Sequence, residues 1–194
     1  LVIDAVKASR PFEMNPKRSA EVNVLMTRMA AEMGLGDELI RPSIGIKPKI
    51  MVILDNANGN DARTGYFMEN GYDDFKAKLL VSGDLRMGDL YVTGVCKKVK
   101  DKEKDYTKDE IGQFIDFMRE EINLVRPTYV LTCGSRATSL FNNKSKPSDL
   151  VGRKEYLPDL DVTVFYGFNP NILYFRPEEG EKLEAILAEV AETI

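Results

Sequence analysis

The chain has 194 residues, 43% hydrophobic and 30% charged, with a net charge of −4 and no histidine. That length is enough to bury one substantial core, and the lack of histidine excludes imidazole from catalysis and metal binding. The acidic balance argues against holding nucleic acid through general electrostatics alone, so any basic surface has to be local.

Two cysteines, Cys96 and Cys133, lie in or beside apolar strands and read as buried free thiols of a reducing compartment. No apolar run reaches membrane-spanning length and no signal-peptide pattern is visible. The expectation is a soluble cytoplasmic protein, in the host cytoplasm or nucleoid if viral, with no membrane partner. The start at Leu1 instead of Met fits a processed, a trimmed or an excised piece of a larger protein.

In chain order, Asn15-Pro16 supplies a helix cap and a first-turn proline, and Val22, Leu25, Met26, Met29 and Met33 follow at helical spacing until Gly34 and Gly36. A connector with two prolines leads to a strand over 49–54. Its apolar run stops at the polar turn Asp55-Asn56-Ala57-Asn58-Gly59, as expected of a buried parallel strand that delivers a loop to the sheet's carboxyl edge. A short helix over 72–80 and a strand over 90–93 come next. Thr107 and Glu110 form a capping box, and Ile111, Phe114, Ile115, Met118, Ile122 and Val125 mark one helical face that Pro127 ends. A strand over 129–132, a helix opening at Gly134-Ser135, a strand over 162–166 and a closing helix from Pro177 complete the chain. Alternating strands and helices imply an α/β fold, a three-layer αβα sandwich around a four-stranded parallel sheet. Residues 1–194 read as one domain, with an N-terminal helix and connector over 1–48 and the α/β core over 49–194.

The segments Asp55 to Gly59, Gly65 with Tyr66-Phe67, Thr93-Gly94-Val95, Cys133-Gly134, and Asn169-Pro170-Asn171 with Ile172-Leu173 stand in an order and spacing that resemble the uracil-DNA glycosylase superfamily, closest to its family four. The resemblance runs from about Lys49 to Val190. It implies a protein that works on a base turned out of the DNA stack, held against an aromatic ring and read along its edge.

Carried over residue by residue, the resemblance puts Asn56 where family four has the acid that orients the attacking water. An amide can hold a water but cannot take its proton. Asn169 stands at the leaving-group histidine, Gly94 at the base-reading asparagine, and Ala57 beside the base. Phe67 falls at the stacking aromatic, with a loop-anchoring core phenylalanine as the competing account. Asp55 and Asp61 are expected to cap the turn or the segment after it. Family four carries an iron–sulfur cluster on four cysteines, which two cannot supply, so the expectation is no cofactor and no metal.

Among the basic residues, Lys97 and Lys98 past a strand end, and Arg153, are expected on DNA phosphates, with Asn171, Ile172 and Leu173 near the duplex. Lys100 to Lys104, interleaved with Asp101 and Glu103, read as a solvated loop, and packing under the last helix is the competing account of Ile172 and Leu173.

Three functional positions are replaced while the architecture is retained. The favoured reading is a non-catalytic glycosylase-fold domain that binds single- or double-stranded DNA in replication or repair, with a polymerase or other replication proteins as partners. Such domains occur in certain phage replicative polymerases. A glycosylase of shifted base specificity is one alternative. The other is a nucleotide-binding or protein-interaction module with a phosphate at Ser135 after Gly134.

Overall fold

The computed structural model describes residues 12–194, and Leu1 with the first part of the N-terminal segment lies outside the described residues. Asn15 caps helix α1 (Pro16–Met33) by accepting from the Arg18 amide, and Gly34, in the left-handed region at φ 64°, ends it. Strand β1 (Ser43–Ile44) leads to β2 (Ile50–Ala57), helix α2 (Gly59–Thr64), helix α3 (Asp73–Val81) and β3 (Leu90–Val99). Helix α4 (Lys108–Val125) carries the capping box of Thr107 and Glu110 that its sequence signals. There follow β4 (Tyr129–Cys133), the short helices α5 (Ser135–Ser139) and α6 (Pro147–Leu150), β5 (Lys154–Leu157), β6 (Val162–Gly167), α7 (Ile172–Phe175) and α8 (Gly180–Thr193).

The strands form one sheet in the order β1-β3-β2-β4-β6-β5. The inner four are mutually parallel, while β1 and β5 pair antiparallel with β3 and β6 at the two borders. The expectation of a four-stranded parallel sheet is corrected to a mixed six-stranded one. The two additional strands are two and four residues long, too short for an alternating pattern to stand out.

Side chains of β2 alternate between two cores, as the pleat requires. Met51 and Ile53 join Met26, Met29, Phe114 and Met118 of α1 and α4 on one face. Ile50, Val52 and Leu54 join Phe75, Leu79, Leu183 and Leu187 of α3 and α8 on the other. The chain runs from β2 outward to β3 and then returns across to β4, so connections leave β2 and β4 in opposite directions. That junction is the topological switch point, and the carboxyl ends of β2, β4 and β6 open there.

Among the described residues, no helix is long and apolar enough to cross a membrane.

Candidate nucleic-acid interface

β2 continues through Asp55, Asn56 and Ala57, and its pairing with β3 shifts between Asn56 and Ala57. This bulge re-aims the strand end. Asn56 donates its Nδ2 to the neighbouring Ala57 carbonyl at 2.9 Å, and Ala57 is buried. Asn58 caps α2, and Asp61 returns the capping box by accepting from the Asn58 amide at 2.9 Å.

Asp61 does more than cap. Its Oδ1 accepts from the Met68 amide at 2.8 Å, and Tyr72 donates its hydroxyl at 2.9 Å to Oδ2, the oxygen that also takes the Asn58 amide. Burial lifts the Asp61 carboxyl above the ordinary range, against these hydrogen bonds that pull it down. One fully buried carboxylate thus fastens the loop from Asn58 to Tyr72, in which Met68 and Tyr72 hold left-handed backbone at φ 62° and 59°.

The fastened loop carries Phe67 into the core, where it is fully buried. Its amide donates to the Arg41 carbonyl at 3.0 Å. A Cβ on Gly94 would lie 2.5 Å from Phe67 Cε1 and 2.6 Å from Cζ, so the ring occupies the space into which a base-reading side chain at position 94 would project. The full burial of Phe67 supports the account of a loop-anchoring core residue over that of a stacking aromatic.

Lys97 is also corrected. It lies inside the sheet with its ammonium 2.7 Å from Glu121 and 2.6 Å from the Gly94 carbonyl, and neither side chain of the ion pair is solvent-exposed. Glu121 in turn accepts from Tyr91 at 2.8 Å and Thr93 at 3.2 Å. The strand runs on to Val99, so position 97 points inward, and a lysine committed to this network cannot reach a phosphate. Lys98 is half-buried and bound to Glu110 of α4, which holds the Glu110 carboxyl below its ordinary range. Arg153 is exposed beside the start of β5.

On the other side of β2, a cleft of about 360 Å³ opens at the switch point. Asp55, Gly134, Ser135, Phe168, Asn169 and Ile172 are among its lining. Asp55 accepts from the Ala137 amide at 3.0 Å, so the start of α5 is already filled by the protein's own carboxylate. A Cβ at Gly134 would collide with that carboxylate, which is why this turn at φ 142° takes glycine. A phosphate at Ser135 is therefore excluded in favour of an internal anion. Burial raises the Asp55 carboxyl, opposed by the amides of Ala137, Arg136 and Ser135 and by the Arg136 guanidinium.

The β6 exit forms a tight turn in which Asn169 Oδ1 accepts from the Asn171 amide at 3.0 Å. Asn169 shares the large cleft with Asp55, whereas Asn56 is absent from its lining. Asn171 lies across the ridge in a smaller hollow with Asn58, Asn60, Tyr72 and Tyr174. Leu173 is buried and Ile172 half-buried, so Leu173 fits the competing account of packing rather than a place facing the duplex. The next two residues, Tyr174 and Phe175, are 74% and 84% exposed. Their signal in the sequence is an aromatic pair set immediately before Arg176-Pro177, where a core-facing helix pattern has not yet begun.

No family model matches the chain. It is 97% identical over all 194 residues to a DNA polymerase III subunit alpha from Yersinia pestis, of whose length it spans 16%. It is 23% identical over 159 residues to a type-4 uracil-DNA glycosylase from Archaeoglobus fulgidus, covering 78% of this chain and 80% of that protein. This distant likeness supports a relationship to the uracil-DNA glycosylase superfamily. The four-cysteine set that the resemblance to family four would call for is lacking: Cys96 on β3 and Cys133 on β4 are separated by β2 and buried, and burial lifts the Cys96 thiol to about 11. These two thiols do not fit an iron–sulfur cluster.

Proposed function

We propose that this glycosylase-fold chain is one domain of a replicative polymerase polypeptide and holds DNA without excising bases. The observation that carries the reading is the Phe67 ring packed over Gly94, which leaves no base-reading side chain and no room for one. Without that pairing group a turned-out uracil has neither affinity nor discrimination at the family's position. The replacement of the acid by Asn56, whose amide is turned to Ala57, supports the same conclusion.

The likeness to a DNA polymerase III subunit alpha supports the replication context. For DNA contact, the ridge at the sheet's carboxyl edge offers Tyr174 and Phe175 as exposed aromatic faces, flanked by the exposed Arg176 and, from the β5 side, Arg153. Aromatic faces stack on unpaired bases, which favours single strands. Glu178 and Glu181 follow on the same edge and are exposed, so binding is weak and salt-sensitive.

The test uses oligonucleotides with and without uracil, single- and double-stranded. The expected outcome is no abasic-site formation, together with binding that falls as salt rises. Tyr174→Ala with Phe175→Ala is expected to reduce single-strand affinity about tenfold or more. Uracil excision abolished by Asn56→Ala would overturn the non-catalytic reading, and undiminished binding in the double variant would remove the ridge from it.

A further inference from the structure

The chain is acidic overall, and its exposed cations are unevenly placed. Residues 142–154 hold Lys144, Lys146, Arg153 and Lys154 against the single acid Asp149, a net charge of +3 in a chain of net −4. Lys154 is taken up by Glu189 at 3.5 Å. Lys144, Lys146 and Arg153 are exposed and form no ion pair among the described residues. Asp149 offsets one of these three, so an excess of positive charge stays on this segment. The next acid, Glu155, is turned inward, accepting from the Tyr166 hydroxyl at 2.6 Å. By contrast Lys100, Lys102 and Lys104 alternate with Asp101, Glu103 and Asp105, and their charges cancel locally.

The backbone that presents the uncompensated cations is fixed by its own hydrogen bonds. Asn142 Oδ1 accepts from the amides of Lys144 at 3.1 Å and Ser145 at 3.3 Å, and its Nδ2 reaches Glu155 on β5 at 3.4 Å. The Lys146 carbonyl accepts from the Asp149 amide at 2.9 Å as α6 begins, and the Arg153 amide donates to the Leu150 carbonyl at 2.9 Å past its end. A turn ordered before binding lowers the cost of association.

Its place in the fold gives the charge a meaning. The stretch between Lys146 and Arg153 supplies Pro147, Ser148 and Val151 to the lining of the switch-point cleft, and the β6 exit supplies Phe168, Asn169 and Ile172. Cations therefore flank one stretch of the lining, while the exposed Tyr174 and Phe175 follow the other. A basic track beside aromatic faces is what an unpaired strand requires, the first for its phosphates and the second for its bases. The interior of the cleft is not the phosphate site, because Asp55 lies in it and Glu179 offsets Lys182 there.

We infer that a single DNA strand lies across the mouth of this cleft, its phosphates on Lys144, Lys146 and Arg153 and its bases against Tyr174 and Phe175. The inference rests on the DNA-binding reading above and adds where the sugar-phosphate backbone runs. It specifies no base, since phosphate contacts carry no sequence information.

A fluorescein-labelled oligo-dT strand, titrated by anisotropy between low and physiological salt, tests the path. Lys144→Ala, Lys146→Ala and Arg153→Ala together are expected to make the slope of log affinity against log salt shallower by about 2, the share of three single-strand phosphate contacts. Tyr174→Ala with Phe175→Ala should lower affinity and leave the slope at its wild-type value. Lys100→Ala, Lys102→Ala and Lys104→Ala together remove the same charge from a loop outside the path and are expected to leave the slope unchanged. An unchanged slope in the first triple variant, or an equal change in both triple variants, overturns the path and leaves DNA binding standing. Displacement of the strand by poly-glutamate as readily as by unlabelled oligo-dT at equal charge overturns DNA as the occupant of this rim in favour of an acidic protein. Absence of binding by wild type at low salt overturns the path and the DNA-binding reading together.

Discussion

Phe67 and Gly94 are matched in shape: the ring edge of one stands where any Cβ of the other would have to be, 2.5 Å from Cε1. Gly94→Ala is therefore expected to destabilise the fold by about 1–3 kcal/mol through overpacking, and Phe67→Leu to relieve part of that cost. Denaturant midpoints of both single variants and the double variant measure the coupling. Restoring family residues through Asn56→Glu, Gly94→Asn and Asn169→His is expected to yield no uracil excision, because the asparagine meets the same ring.

The Lys97–Glu121 pair is buried between β3 and α4 with every charged atom paired. Glu121→Ala leaves an uncompensated buried ammonium, and the expected loss is about 3–5 kcal/mol. Lys97→Met together with Glu121→Leu should recover most of it, since two apolar groups need no partners. DNA affinity is expected to be unchanged in the double variant, which separates this lysine from any phosphate contact.

Cap strength should follow burial. Thr107→Ala at the exposed start of α4 is expected to cost about 1 kcal/mol. Asp61→Ala strands two amides and the Tyr72 hydroxyl, each deserted group costing about 1–3 kcal/mol, and should release the loop that carries Phe67. Hydrogen exchange across residues 58–72 reads that release directly.

The two buried aspartates set an unusual acid response. Burial raises Asp55 and Asp61 above their ordinary value of 3.8, so their protonated forms favour the native state. That contribution is full below 3.8 and is lost as pH rises through the raised folded-state values. Wild type is therefore expected to gain stability relative to Asp55→Asn as pH falls through that window. Glu110 acts in the opposite sense: its depressed carboxyl stabilises above 4.5 and the benefit disappears on acidification. Urea midpoints of the two proteins between pH 3 and 7 check the sign.

The regular helices could be read in the sequence because their signals are local. Asn15-Pro16 and Thr107 with Glu110 lie within a turn of the elements they start. The site was harder because its decisive contacts join distant residues. Lys97 follows a run that reads as a finished strand, and its partner is 24 positions away on another element. A hint was present on α4, where Glu121 falls on the apolar face between Met118 and Ile122; a carboxylate in that stripe needs a buried cation. Phe67 against Gly94 and Asp55 against Gly134 left no such mark. Each pairs a side chain with a glycine, and a glycine in a sequence does not disclose whose atoms occupy the space it leaves.

The borders of the sheet carry a consequence for how this chain behaves among others. A free strand edge offers a template for aggregation, and natural sheets blunt it with short strands and charge. Here one border is two residues of β1 and the other is four residues of β5, with the exposed Lys154 and Tyr156 on the latter. Short borders of this kind offer a foreign strand little regular edge to extend, which works against edge-to-edge growth of the parallel centre when many copies are crowded together.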